Sequence, residues 1–220
     1  MYLSHHFAAS EAEANAVLES MTAVDLITPG TDGLFATFLP MLYMPNVGEH
    51  GSLFGHVARA NPQWRMRGRS LVIARGPEGY ISPSWYASKT EHGRVVPTWD
   101  YLTVHVHGVL VAHDDVEWLR VLVERLTQRH EAGFPHPWSV ADAPSKFVDG
   151  QLRAIVGVEL VIERIEAKAK LSQNRSAADR DGVVAGLRRQ PATESLAQLV
   201  ADGTGTDGAD GAGAGVAYER

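Results

Sequence analysis

The 220-residue chain contains no cysteine. That absence removes disulfides, thiolate metal centres, iron–sulfur clusters and a thiol nucleophile together, and leaves His, carboxylate and Lys as the strong ligands a site could use. No run of about 18 apolar residues occurs, so no segment reads as a membrane-spanning helix. The opening Met1-Tyr2-Leu3-Ser4-His5-His6 lacks the charged and apolar regions of a secretion signal, and a cytoplasmic protein is the expectation. An excess of positive charge is also missing: 20 Lys and Arg face 26 Asp and Glu, for a net charge of −6. The field of the whole chain therefore repels nucleic-acid phosphates. Gly-x-Ser-x-Gly, His-Glu-x-x-His and the P-loop are absent, which withdraws support from hydrolase, zinc-protease and nucleoside-triphosphatase readings.

What is present is enough apolar content, 45%, for one domain with a sizeable core and a small appendage. Ser10 and Glu13 read as a capping box opening a helix to about Ser20, with Ala14, Val17, Leu18 and Met21 on the inner stripe. Strand-length apolar runs follow at Ala23 to Thr28, Leu34 to Leu39, Ser52 to Val57 and Arg69 to Ala74, punctuated by Gly and Pro. From Tyr101 to Val111 the pattern alternates, with Leu102, Val104, Val106 and Leu110 on one face and His105 and His107 on the other. Between Val116 and His130 the period turns helical through Leu119, Leu122, Val123 and Leu126. Ile155 to Ile165 reads as a strand and Ser176 to Arg189 as a helix. These elements predict a mainly β fold with flanking helices, a barrel or sandwich. The expected layout is a barrel domain over 1–170 with a helix inserted at about 115–131, a helical extension over 171–202, and a disordered tail over 203–220, whose Gly, Ala, Asp and Thr cannot offset their ordering entropy.

Three segments are dense in Trp, Pro, Asn, Ser and His rather than β-branched residues. Gly55-His56-Val57-Ala58-Arg59-Ala60-Asn61-Pro62-Gln63-Trp64 leaves a strand for a turn. Two readings are open there: an anion site built from backbone N–H groups and Arg59, or a turn capped by Asn61 and pinned by Trp64. Gly79-Tyr80-Ile81-Ser82-Pro83-Ser84-Trp85-Tyr86 and Val96-Pro97-Thr98-Trp99-Asp100-Tyr101 carry rigid prolines, hydroxyls and flat rings. They suit a pocket for a planar ligand, or else Trp85 and Trp99 anchor a core or dimer interface. Lys168-Ala169-Lys170-Leu171-Ser172-Gln173-Asn174-Arg175 could hold an acidic arm of a cofactor or be a solvated helix entry. His105 and His107 could chelate a metal, but no third ligand stands at fixed spacing.

Taken together, His56 to Trp64, Tyr80 to Tyr86, Val96 to Tyr101 with Val104-His105-Val106, and Lys170 to Arg175 closely resemble the PaiB family, described as FMN-binding negative transcriptional regulators. The match runs in order from Met1 to about Leu187. The resemblance implies a split β-barrel, a homodimer and a cofactor cleft holding FMN, lined by His56, Arg59, Ser82, Trp85, Thr98, Trp99, Lys170 and Gln173. It names no catalytic residue. Three departures stand out: Phe38 follows Ala36-Thr37 where the family often has His, Asp100 stands where Asn is usual, and Ala169 replaces a Trp. The last opens roughly a Trp side chain of volume, for a neighbour to fill or a ligand to occupy.

Two functions follow as expectations. The first is a flavin-linked transcriptional regulator or sensor. Its DNA-binding part comes only from the family description, and the net charge does not support it; Arg180, Arg188 and Arg189 are the best local candidates. The second is an enzyme in the same cleft: an FMN oxidoreductase, or a haem b enzyme with His56 or Lys170 as axial ligand, resembling relatives that join nitrogen to nitrogen in piperazate synthesis. Those relatives depart from the Ala-Arg-Ala-Asn-Pro-Gln-Trp and Ser-Gln-Asn-Arg versions kept here, which ranks haem below FMN.

Overall fold

The structure, a computed structural model, describes residues 1–66 and 68–203. From residue 204 on, the expected disordered tail lies outside the described residues.

Among the described residues six strands form: β1 (Ala23–Gly30), β2 (Gly33–Met44), β3 (Ser52–Ala58), β4 (Arg69–Ile81), β5 (Thr98–His113) and β6 (Ile155–Lys170). They close a barrel in the order β1-β2-β3-β6-β5-β4. β1 pairs antiparallel with β2 and β4, and β3 pairs antiparallel with β2 and β6. The β1–β2 hairpin closes where Gly30 pairs with Gly33, whose φ of 124° a side chain would resist. The alternation seen in the sequence is the burial pattern of β5, with Leu102, Val104, Val106 and Leu110 all buried. Every expected strand forms, and most run several residues past the apolar core of the pattern, because ladder hydrogen bonds continue through Thr98 and Lys170 whatever their polarity.

Helix α1 (Glu11–Ser20) opens on the expected capping box: the Ser10 N–H donates to Glu13 Oε2 at 2.6 Å, and the Glu13 N–H donates to Ser10 Oγ at 3.2 Å. Its stripe of Ala14, Val17, Leu18 and Met21 is buried. Among the described residues five more helices follow: α2 (Ser88–His92), α3 (Val116–Glu131), α4 (Ser145–Arg153), α5 (Ala177–Leu187) and α6 (Glu194–Ala201). α3 and α5 were legible; α2, α4 and α6 were not.

The described residues divide into two compact units, one taking 1–17, 75–105 and 166–203, the other 18–74 and 106–165. In the second unit, Leu122 and Leu126 of α3 pack with Leu42, Phe54 and Trp118, and Leu119 packs with Val148 and Leu152 of α4. Each such side chain, fully buried, contributes about 1.5–3 kcal/mol. Trp118 lies so close to β6 that a Cβ at Gly157 would stand 2.2 Å from its ring. In the first unit, α5 and α6 bury Val183, Leu187, Leu196, Ala197 and Val200. Trp85 presses on α5 at its two glycines: a Cβ on Gly186 would meet the indole at 2.2 Å, and one on Gly182 would meet the Trp85 carbonyl oxygen at 1.9 Å.

Candidate functional site

The eight residues singled out by resemblance fall in both units. In the second unit His56 sits on β3 opposite Gly157 of β6. Its ring is half-buried, and Nδ1 is enclosed with no hydrogen-bond partner among the described residues. Burial pushes its pKa below the ordinary imidazole value, so the ring is neutral at pH 7.

Arg59, just past β3, spends its donors inside the chain. Nη1 and Nη2 bind the two oxygens of Asp114 at 2.8 and 2.5 Å, Nε donates to the Arg153 carbonyl at 2.7 Å, and Nη2 also reaches the Ile155 carbonyl at 3.0 Å. Beyond it the chain turns as the simpler reading required. Asn61 accepts from the Gln63 N–H at 2.9 Å, and Trp64 Nε1 donates to the Arg59 carbonyl at 3.2 Å. Buried Gln63 then ties the turn to β1 through the Leu26 carbonyl and Thr28 Oγ1. The anion on Arg59 is Asp114 of the chain itself.

In the first unit, Ser82 accepts from the Ser84 N–H at 3.2 Å and so caps the short 3-10 turn Pro83–Trp85, which delivers Trp85 to α5. Trp85 thus packs against that helix. Thr98, Trp99 and Asp100 begin β5, and Lys170 ends β6. The Lys170 ammonium donates to Thr98 Oγ1 at 2.7 Å, to the Trp99 carbonyl at 2.7 Å and to Asp100 Oδ1 at 3.2 Å. An ammonium has three N–H bonds, and all three are engaged. Gln173 holds the exit of β6: its Oε1 accepts from the Leu171 N–H at 2.7 Å and its Nε2 donates to the Ala169 carbonyl at 2.6 Å.

The residue that organises this cluster is Asp100, which sequence reasoning noted only as a departure. It is 0% exposed, and its Oδ2 accepts a 2.6 Å bond from Ser172 Oγ. Burial raises its pKa above the usual carboxylate value, against the lowering pull of Ser172 and Lys170. The signal was available: Asp100 shares the buried phase of β5 with Leu102, Val104 and Val106, and a carboxylate there demands a cation. Ser172 adopts φ 57°, a left-handed conformation uncommon for a residue with a side chain. Tyr86, also buried, carries the Arg175 guanidinium 4.6 Å above its ring, and burial raises the pKa of its hydroxyl against the lowering pull of Arg175. The rings of Tyr80 and Trp99 lie 6.4 Å apart and stay 48% and 46% exposed. Ala169 is 0% exposed.

The family described as "Putative FMN-binding domain" matches residues 1–164. "Protease synthase and sporulation protein PAI 2" of Bacillus subtilis (strain 168) is 32% identical over 212 residues, 92% of this chain and 97% of that protein. An uncharacterized protein of Emericella nidulans is 31% identical over 167 residues, 63% of this chain and 66% of its own length. Among solved structures, the FAD and heme binding protein from Mycobacterium smegmatis superposes with a TM-score of 0.55 at 15% identity, covering 82% of this chain and 80% of that one. A conserved hypothetical protein from Mycobacterium tuberculosis does so with a TM-score of 0.54 at 17% identity, covering 80% and 94%. At these identities the structural likeness speaks for the fold, a mainly β split barrel with flanking helices. Sequence and fold together make the chain a member of the PaiB family of FMN-binding-domain proteins.

Proposed function

We propose that the chain binds FMN as a homodimer and acts in the cytoplasm as a flavin-linked regulator or sensor. The observation that carries this reading is the exposed ring pair of Tyr80 and Trp99 in a member of a flavin-binding family: their planes are inclined by 60°, and either ring offers an apolar face on which a planar heterocycle can stack. FMN also needs a cation for its phosphate. Arg59 and Lys170 are already bonded within the chain. Arg175, stacked on Tyr86 and in no ion pair among the described residues, is the cation of the first unit we assign to that arm. When bound, FMN supplies hydride or one-electron exchange at its ring; the chain's own groups bind it and set its angle.

The dimer is supported by β2, where Leu34, Ala36, Phe38 and Pro40 share one exposed face. An apolar strip of this length is what an interface covers. Direct DNA binding has weaker support, since Arg180 donates to the Val200 carbonyl and Arg188 pairs with Glu194 at 3.5 Å. Regulation is therefore assigned to a change in the bound state of the dimer. Among the described residues no helix is long and apolar enough to cross a membrane.

One observation favours a second reading. Neutral His56, with Nδ1 unpartnered, is in the form that ligates iron, which keeps a haem enzyme as the alternative with His56 rather than Lys170 as axial ligand. The visible spectrum of the purified protein separates the two. Flavin absorption, with FMN released on denaturation, supports the first reading and a Soret band the second; a colourless protein that takes up neither overturns both. Retention of genomic DNA fragments above that of a non-specific protein would restore direct repression.

A further inference from the structure

Three features of the first unit converge on Trp99. Its carbonyl and the neighbouring Thr98 hydroxyl each take a 2.7 Å bond from Lys170, so the start of β5 is tied to the end of β6 by one ammonium. That ammonium is held by Asp100, whose carboxylate has no surface in solvent and is locked in turn by Ser172 at 2.6 Å. Ser172 reaches it only through a left-handed backbone conformation, a cost that persists where the surrounding structure over-determines it. The Lys170 side chain is 24% exposed, so solvent reaches part of it, yet none of its donors is spare.

We propose that Lys170, Asp100 and Ser172 form a clamp that fixes the backbone position of Trp99 at the start of β5, and that the Trp99 ring so placed, with Tyr80 inclined at 60° beside it, stacks a flat heteroaromatic ring, while Lys170 makes no bond to that ligand's acidic arm. The identity of the ring rests on the flavin reading; the clamp does not. Lys170 is a positioning residue. Removing it withdraws the carbonyl and hydroxyl anchors of β5 and strands a buried carboxylate, which costs far more than the loss of a surface charge. A lysine that gripped a phosphate would behave differently, because only the phosphorylated ligand would notice its loss.

The experiment has two arms. In the first, acetic anhydride labelling of the intact protein is followed by peptide mass spectrometry, comparing Lys170 with the exposed Lys146. The clamp predicts that Lys170 reacts at least about tenfold more slowly and that Asp100→Asn, which keeps the shape and removes the charge, accelerates it. Equal reactivity of Lys170 and Lys146 overturns the clamp whatever flavin does. In the second arm, FMN and riboflavin are titrated into wild type and Lys170→Met. The clamp predicts that both ligands weaken by the same factor; loss of FMN affinity alone assigns Lys170 to the phosphate and overturns the proposal. Should wild type bind neither flavin while Lys170 stays protected, the flavin reading and the stacking face fall together and the clamp stands.

Discussion

Asp179 illustrates how a single buried side chain is tuned. It sits in the first turn of α5 and takes 2.9 Å bonds from both the N–H and the hydroxyl of Ser88. Burial alone would raise its pKa, but those bonds, with help from Ser176 and Arg175, outweigh it and hold the carboxyl below its ordinary value. A carboxylate whose folded pKa is depressed contributes stability above its unfolded pKa, near 3.9, and loses it as pH falls through the folded value. The difference in Tm between wild type and Asp179→Asn should therefore be largest near neutrality and shrink below about pH 4. A constant gap across that range would mean the carboxylate charge is not what Ser88 holds. Arg175 gives the complementary test of the cofactor reading: Arg175→Ala should weaken FMN several-fold and leave riboflavin unchanged in the same titrations, the reverse of the Lys170 pattern. Neither Asp179 nor Asp100 could be given its partner from sequence, because Ser88 and Asp179 are 91 positions apart and Asp100 and Lys170 are 70 apart. Sequence reports that a group needs a counterpart; only the fold brings the counterpart near.

Among the elements, α5 depends on what it lacks. Gly182 and Gly186, one turn apart, let Trp85 approach the helix backbone, and a methyl group at either position would overlap it. Alanine raises intrinsic helix propensity by about 1 kcal/mol over glycine, so the substitution sets local gain against lost contact. Gly186→Ala should nonetheless lower stability, by about 1–3 kcal/mol in denaturant titration, because the ring has to move. It should also shift Trp emission toward the red as the indole gains water. A stabilised variant would show that Trp85 yields freely. The same element shows where sequence reasoning succeeds: α5 has the Ser176–Asp179 cap and α3 the Asp115 cap, each followed by apolar residues at helical spacing. α4 was missed because Val148 and Leu152 are its only buried residues, too few to establish a period, and α6 because eight residues make barely two turns. Trp85, which the resemblance places in the cleft, packs against α5.

For the molecule as a whole, the exposed strip on β2 is the face that the proposed dimer would bury. Placing a charge in its middle with Phe38→Asp should convert a dimer into a folded monomer in sedimentation equilibrium, with unchanged circular dichroism; a variant that stays dimeric removes β2 from the interface. The barrel was legible because period-two alternation and Gly-Pro punctuation are local signals, whereas the pairing order, with β6 lying between β3 and β5, is not local and required the structure. The Lys170 to Asp100 bond reaches further, into the history open to this lineage. Losing Lys170 first would leave a buried carboxylate without its cation, at a cost of about 3–5 kcal/mol, a large share of what holds a domain of this size together. Changing Asp100 to Asn first removes that debt, after which the lysine can drift. The two positions therefore part more easily in one order than in the other, a constraint written into the 3.2 Å contact between them.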